Sequence, residues 1–401
     1  MSIMHSKSEW YVGLMSGTSL DGVDGVLVDF SEQKLRVAQH VSRPFAIELR
    51  AELLALNQPG DNELHRAALA ANALVRLYAQ VVTDLLSASG MTADRIAAIG
   101  AHGQTVRHRP GEFDGDPFHG IPAVGYTLQL NNPALLAELT GIDVVSDFRS
   151  RDLAAGGQGA PLVPAFHRAV FGRPGETVFV LNIGGIANLS VLGAGGDVIG
   201  FDCGPGNALM DAWCQQHTGQ PFDMQGAWAA TGQILPDLLA ALMAEPYLAK
   251  PPPKSTGRDL FSPDWLARHL QSWSGVNPAD VQATLTEYTA SACAAGVDSY
   301  SKYSDSTLPQ GETSTGEQWD GRACLIVCGG GALNTQLMLR LQALLPDHQV
   351  VPSQQRGLPP LEVEAAAFAW LARRTLRRET GSLESVTGAR GARVLGCVTP
   401  A

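Results

Sequence analysis

Several short stretches of this chain carry residue types and spacings suited to phosphate and proton chemistry. The first is Met-Ser-Gly-Thr-Ser-Leu-Asp-Gly, residues 15–22. Ser16, Gly17, Thr18 and Ser19 put backbone N–H groups and hydroxyls at a tight turn. Such a turn cradles phosphate oxygens, because small residues let the backbone come close and aim its donors. It is not a Walker loop, since GxxxxGK[ST] is absent and no lysine is near. Asp21 and Asp24 follow. A carboxylate beside a phosphate is costly unless a cation lies between, and Mg²⁺ would supply one. Taken alone, the stretch is equally readable as an ordinary glycine-rich hairpin turn.

A second donor-rich turn lies in Asn-Ile-Gly-Gly-Ile-Ala-Asn, with Asn182, Gly184, Gly185 and Asn188. A third is Cys-Gly-Gly-Gly-Ala-Leu-Asn, residues 328–334. Gly329, Gly330 and Gly331 would let a flat ligand lie on bare backbone and free the first amides of a following helix for phosphate. Each has a plain packing alternative, but three such turns in one chain are hard to ascribe to coincidence. Asp202 ends an apolar strand just before Gly204-Pro205-Gly206. A carboxylate displayed there suits a general base, or else caps the next helix. Asn207 is the better cap by position, which leaves Asp202 available.

Polar residues gather elsewhere. His102 and Gln104 follow a short strand, at the end where α/β proteins bind ligands. Asp147, Arg149, Arg151 and Asp152 crowd one loop, partly as ion pairs, and Arg149 suits bidentate capture of a substrate carboxylate. Lys254, Ser255, Thr256 and Arg258 follow three prolines, in a segment with the composition of a lid. Glu364 lies on an alanine-rich helix, where a solvated glutamate is the plain reading.

The elements that must hold these residues alternate between strand and helix. Residues 10–15 and 22–30 read as a hairpin, and so do 177–192. Leu74, Leu77, Tyr78, Val81 and Leu85 mark a helix over 63–87. Ile96–Ala101 is a strand, Asn-Pro starts a helix near 132, and 281–300 is helical. The alternation implies an α/β fold, and the two hairpin-led halves imply a duplicated one with a cleft between them. The stretches 109–125 and 303–319 are rich in turn-forming and polar residues and read as surface insertions.

Length and composition set outer bounds. The 401 residues, 45% hydrophobic and 17% charged, suit two or three globular domains. No apolar run of about 20 residues is evident, and the polar start Met-Ser-Ile-Met-His-Ser-Lys lacks a signal-peptide core. Neither membrane nor export is therefore expected. The net charge of −11 argues against nucleic acid as a partner. The six cysteines form no CxxC pair, as in reduced, cytoplasmic proteins, and no zinc spacing fits.

Together, GLMSGTSLDGVD, HGQT, NPALLAELTGI, DFRSRDLAAGGQGAPLVPAFH, NIGGIANLS, GFDCGPGNALMDAW, PKSTGRD and CGGGALN resemble the anhydro-N-acetylmuramic acid kinase family over residues 11–373. The resemblance implies two related actin/hexokinase-like (ribonuclease H-like) domains flanking a nucleotide cleft. The boundaries expected are 1–129 plus 371–401 for the first domain and 130–370 for the second. It implies a phosphotransferase that spends ATP and water on 1,6-anhydro-N-acetylmuramic acid, with Mg²⁺, giving N-acetylmuramic acid 6-phosphate and ADP in peptidoglycan recycling. It further implies a cytoplasmic homodimer. Carried over residue by residue, Asp202 is the base. Ser16, Gly17, Thr18, Ser19, Leu20, Asp21, Gly22, Val23 and Asp24, with Gly184 and Gly185, meet the phosphates, and Asp21 holds the metal. Gly329, Gly330, Gly331 and Asn334 lie near the adenosine, while His102, Gln104, Asp147, Arg149 and Glu364 meet the sugar. Asn131 and Asp259 stand where the family pattern has glycine and glutamate. A nucleotide-binding switch without sugar chemistry, or a kinase of another sugar, would share the glycine turns.

Overall fold

Strand β1 (Trp10–Met15) runs antiparallel to β2 (Gly22–Asp29), pairing Trp10 with Asp29 and Met15 with Asp24. This is the first hairpin, as expected, in a computed structural model that describes residues 8–17, 19–32, 34–111, 115–116, 118–257, 260–301 and 322–401. Thr18, Arg258, Asp259 and the insertion 303–319 therefore lie outside the described residues.

The chain divides into two compact units, Met1–Phe166 with Leu361–Ala401, and His167–Pro360. The first is built on a six-stranded sheet that also contains β3 (Arg36–Pro44), β4 (Ala98–Ala101), β7 (Val144–Ser146) and β13 (Cys397–Thr399). Its order is β13-β7-β4-β1-β2-β3. Strands β1, β4 and β7 are parallel, so their carboxyl ends share one edge of the sheet. A separate ribbon pairs β5 (Gln104–Arg109) with β6 (Tyr126–Leu130) across the 109–125 excursion.

The second unit carries β8 (Val178–Ile183), β9 (Ile186–Leu192), β10 (Val198–Pro205), β11 (Ala323–Cys328) and β12 (His348–Pro352). Their order is β10-β9-β8-β11-β12. In each unit a three-strand meander lies beside two strands parallel to its first, so the order third-second-first-fourth-fifth occurs twice. The fold class read from the sequence, two related actin/hexokinase-like domains, has this topology. The division differs from the expected boundaries in two stretches. Residues 130–166 fall in the first unit because β7 is a strand of its sheet. Residues 361–370 join it because helix Val363–Leu376 packs on β1 and β4.

Helix Glu63–Ser89 buries Leu74, Val75, Tyr78, Val81 and Leu85 against the first sheet. Against expectation, it is long and apolar enough to match a membrane span by length and composition. Its apolar stripe is nevertheless occupied by β2 and β3, the role of a core helix. On the other face, helix Val363–Leu376 touches the strands directly. A Cβ at Gly13 would lie 1.9 Å from the Ala365 carbonyl, and one at Gly100 would lie 2.0 Å from that of Phe368. In the second unit, helix Pro278–Ser301 sets Leu285, Tyr288, Cys293 and Val297 against Phe179, Leu189 and Phe201.

Candidate active site

In the first unit, the loops leaving β1, β4 and β7 bring Ser16, Gly17 and Ser19, His102–Gln104 and Asp147–Arg149 to the shared carboxyl edge. Ser16 is buried. Its hydroxyl donates to the Gly103 carbonyl at 3.1 Å and shares a hydrogen bond with the Tyr78 hydroxyl at 2.9 Å. The Ser16 side chain thus anchors the turn inward, and any phosphate contact falls to backbone. Gly17 is open, for a Cβ there would meet nothing nearer than 3.7 Å. Leu20 has a φ of +56°, a strained region for a leucine, and its side chain is buried. Ser19 donates to Asp21 Oδ1 at 2.6 Å, and Asp21 is exposed. Gly22 and Val23 are buried in β2 and serve as framework. Asp24 lies 3.2 Å from His40 Nε2, and its carboxylate raises the pKa of that imidazole.

His102 and Gln104 are buried behind the turn. Arg149 donates from Nε and Nη2 to His102 Nε2, at 3.1 and 2.9 Å. That nitrogen is therefore the acceptor, so the ring proton sits on Nδ1 and points at the Ser16 carbonyl, 3.4 Å away. Burial first, and then the Arg149 charge, push the His102 pKa down to about 3. Gln104 Nε2 donates to the Gly17 carbonyl at 3.0 Å. Both residues hold the turn in shape, and Arg149 also donates to Gly159 at 2.8 Å. Asp147, exposed at φ +55°, accepts from the Ser150 hydroxyl at 2.5 Å. The loop's other acid, Asp152, is fully buried and accepts from Gly159 N–H and the Thr387 hydroxyl. Glu364 sits in the first turn of helix Val363–Leu376.

In the second unit, Gly184 and Gly185 lie in the tight loop between β8 and β9, where Ile183 is the last residue of β8 to pair, with Ala187. A Cβ at Gly184 would reach only the Ile186 carbonyl, at 3.8 Å, so that backbone is open. Their carbonyls accept from the N–H groups of Asn207 and Gly206, at 2.8 and 2.9 Å. Asn207 makes no side-chain cap, contrary to expectation. Its Nδ2 instead donates to the Ile183 carbonyl, tying the helix to the hairpin. The triple-glycine turn also differs from expectation. Gly330–Leu333 is a 3₁₀ turn, and helix Thr335–Leu344 starts later, with Asn334 accepting from Leu337 N–H. Gly331 packs against Ile183 and Gly329 against Asn182, so Gly330 is the exposed glycine of the three.

Asp202 is held on three sides. Its N–H donates to the Lys254 carbonyl at 3.1 Å, its carbonyl accepts from the Tyr247 hydroxyl at 3.0 Å, and Thr256 N–H donates to Oδ2 at 2.9 Å. Its neighbours Phe201 and Cys203 face the buried core, which places the carboxylate on the opposite side of β10. Lys254, half-buried with its pKa pushed down by burial, donates to the Leu248 carbonyl at 3.0 Å and lies over the Tyr247 ring. No local pattern marks Tyr247 and Tyr78 as site residues, because each meets its partner from 45 or 62 positions away along the chain.

Among the described residues no group of three or more His, Cys, Asp or Glu side chains could hold a metal. The exposed Asp21 carboxylate fits Mg²⁺, which takes one or two protein carboxylates and fills its shell with phosphate and water. In comparison with known proteins, a family model described as "Anhydro-N-acetylmuramic acid kinase" matches residues 9–401. A protein of that name from Variovorax paradoxus (strain S110) is 65% identical over 398 residues, covering 98% of this chain and 99% of its own length. Another so named, from Albidiferax ferrireducens, is 62% identical, covering 98% and 100%. A third, from Cupriavidus pinatubonensis, is 53% identical, covering 99% and 100%.

Proposed function

Because this chain belongs to the anhydro-N-acetylmuramic acid kinase family, we propose that it uses ATP and water to convert 1,6-anhydro-N-acetylmuramic acid into N-acetylmuramic acid 6-phosphate and ADP. It is a phosphotransferase of carbohydrate metabolism. The family match along residues 9–401 supports the substrate, and the three-sided hold on Asp202 supports the mechanism.

The anhydro bridge ties up O6, so no free hydroxyl is there to phosphorylate. Water attacks the anomeric carbon, the C1–O6 bond breaks, and O6 takes the γ-phosphoryl group as ADP leaves. Asp202 accepts the proton of the attacking water, as a base does in inverting glycoside hydrolysis. The leaving oxygen needs no acid, because phosphorus captures it. Thr256 N–H fixes the rotation of the carboxylate before substrate arrives.

The β1–β2 turn, residues 16–24, and the Gly184–Gly185 loop supply backbone donors to the phosphates, and the turn at Gly330 with Asn334 borders the adenosine. Arg149, Asp147 and Glu364 are the groups for the sugar, with His102 and Gln104 fixing the turn beside them. Asp21 would hold Mg²⁺, which neutralises phosphate charge when bound with the nucleotide. Each unit carries one phosphate hairpin, and the active protein is a cytoplasmic homodimer in this reading.

Turnover in water enriched in ¹⁸O should place the label on the anomeric carbon; label in phosphate would overturn the mechanism. ADP release that ignores the sugar would favour a nucleotide switch instead. Asp202→Asn should lower kcat by 10³-fold or more while ATP still binds by calorimetry. Chelating Mg²⁺ with EDTA should abolish ADP release, and Asp21→Asn should raise the Mg²⁺ concentration needed to restore it.

A further inference from the structure

We infer that Asn188 is a second catalytic residue, whose side-chain oxygen accepts the other hydrogen of the attacking water. The inference rests on the reading that Asp202 is the base. Strand register carries it. Asn188 on β9 is the direct partner of Asp202 on β10 and of Asn182 on β8. Opposed residues of an antiparallel pair project from the same face of the sheet. Leu189 and its regular partner Phe201 both belong to the buried core, and the bulge in β10 comes only after Asp202, so Asn188 and Asp202 share the opposite face. The motif's glycines form the turn, and Asn188 itself stands two residues inside β9, beside the base.

The second observation is an unmet acceptor. Asn188 Oδ1 is buried and no described group donates to it. A buried acceptor without a donor costs stability, and it persists where a ligand supplies the hydrogen. Asp202 is fixed by Thr256 and is not that donor, because an ionised carboxylate has no hydrogen to give.

Water offers two. To turn a lone pair on C1, it must direct both O–H bonds elsewhere. Two acceptors bound to one water lie about 4.5 Å apart at ordinary hydrogen-bond lengths. Directly opposed side chains have Cβ atoms about 4.5–5.5 Å apart, a matching separation. One hydrogen goes to Asp202 as the O–C1 bond forms. The other stays on oxygen, bonded to Asn188, and becomes the anomeric hydroxyl hydrogen of the product. The C1–O6 electron pair goes to phosphorus as before.

Methanol tests this, since it carries one O–H and a methyl group in place of the second. In a water–methanol mixture, the wild-type chain should favour hydrolysis strongly, because methanol leaves Asn188 unbonded. In Asn188→Ala the ratio of methyl glycoside to hydrolysis product should rise about tenfold, the worth of one hydrogen bond. Its kcat should fall about 100-fold, with the Kd for ATP unchanged. Asn188→Asp keeps an acceptor and should keep the wild-type product ratio, which also serves if the alanine variant fails to fold. A wild-type ratio in Asn188→Ala, or a raised ratio in Asn188→Asp, overturns the inference. If solvent ¹⁸O still reaches C1 in those enzymes, the reading of Asp202 survives that failure.

Discussion

His102 shows how a residue can be legible in type and not in role. Its place at a strand end was readable, as was the presence of Arg149 in a polar loop. Their bond was not, because 47 positions separate them and only the parallel pairing of β4 and β7 brings their loops together. The structure makes His102 a strut: Arg149 fixes its tautomer and the ring proton faces Ser16. Arg149→Gln should therefore do two things. It leaves a buried imidazole nitrogen without donors, for about 1–3 kcal/mol of lost stability, read in a urea melt. It also loosens the β1–β2 turn that we propose meets the phosphates, so ATP affinity should fall in calorimetry, and unchanged affinity would separate Arg149 from that turn. Asp202 stood out as the candidate base because it is an acid between an apolar strand and Gly-Pro-Gly. Tyr247, which braces it, left no local mark, and the lid-like composition of residues 254–258 gave no sign that the Lys254 carbonyl and Thr256 N–H would reach it.

At the scale of elements, hairpins and helices followed their sequence patterns closely, since alternation and helical periodicity are local properties. Helix starts were less legible. Asn334 caps and Asn207 does not, although both precede helices, because Asn334 has the extended backbone of a cap while Asn207 is already helical and turns its Nδ2 to the Ile183 carbonyl. The glycines of β1 and β4 were also opaque. Nothing in the strand pattern singles out Gly13 and Gly100, yet each admits a helix backbone that any side chain would displace. Gly100→Ala should cost about 3 kcal/mol, the upper end of ordinary overpacking, because the clash is with a carbonyl rather than a pliable side chain. Thermal melting checks this, and a shift under 2 °C would mean that helix Val363–Leu376 yields.

Over the whole molecule, the duplicated strand order was foreshadowed by the repeated hairpins, but the limits of each unit were not. Strands β7 and β13 join the first sheet from positions that no local pattern assigns to it. Each unit also contains a fully buried histidine held neutral, His102 and His167, with pKa pushed down to about 3. Unfolded, both would bind protons near pH 6.5. A depressed folded-state pKa means stability is intact above 6.5 and lost as pH falls from there towards 3. At pH 5 each histidine should cost about 2 kcal/mol, so the urea midpoint should drop sharply between pH 7 and 5, and His167→Gln should shrink that drop. The interrupted first unit has one more effect. Residues 167–360 are continuous and leave the ribosome together, able to collapse during translation, whereas the early strands must wait for residues 361–401 to be translated before their second face is covered. Until then Gly13 and Gly100 expose a nascent sheet to chaperones, and a stalled or prematurely stopped message would release a chain with one finished half and one sticky one.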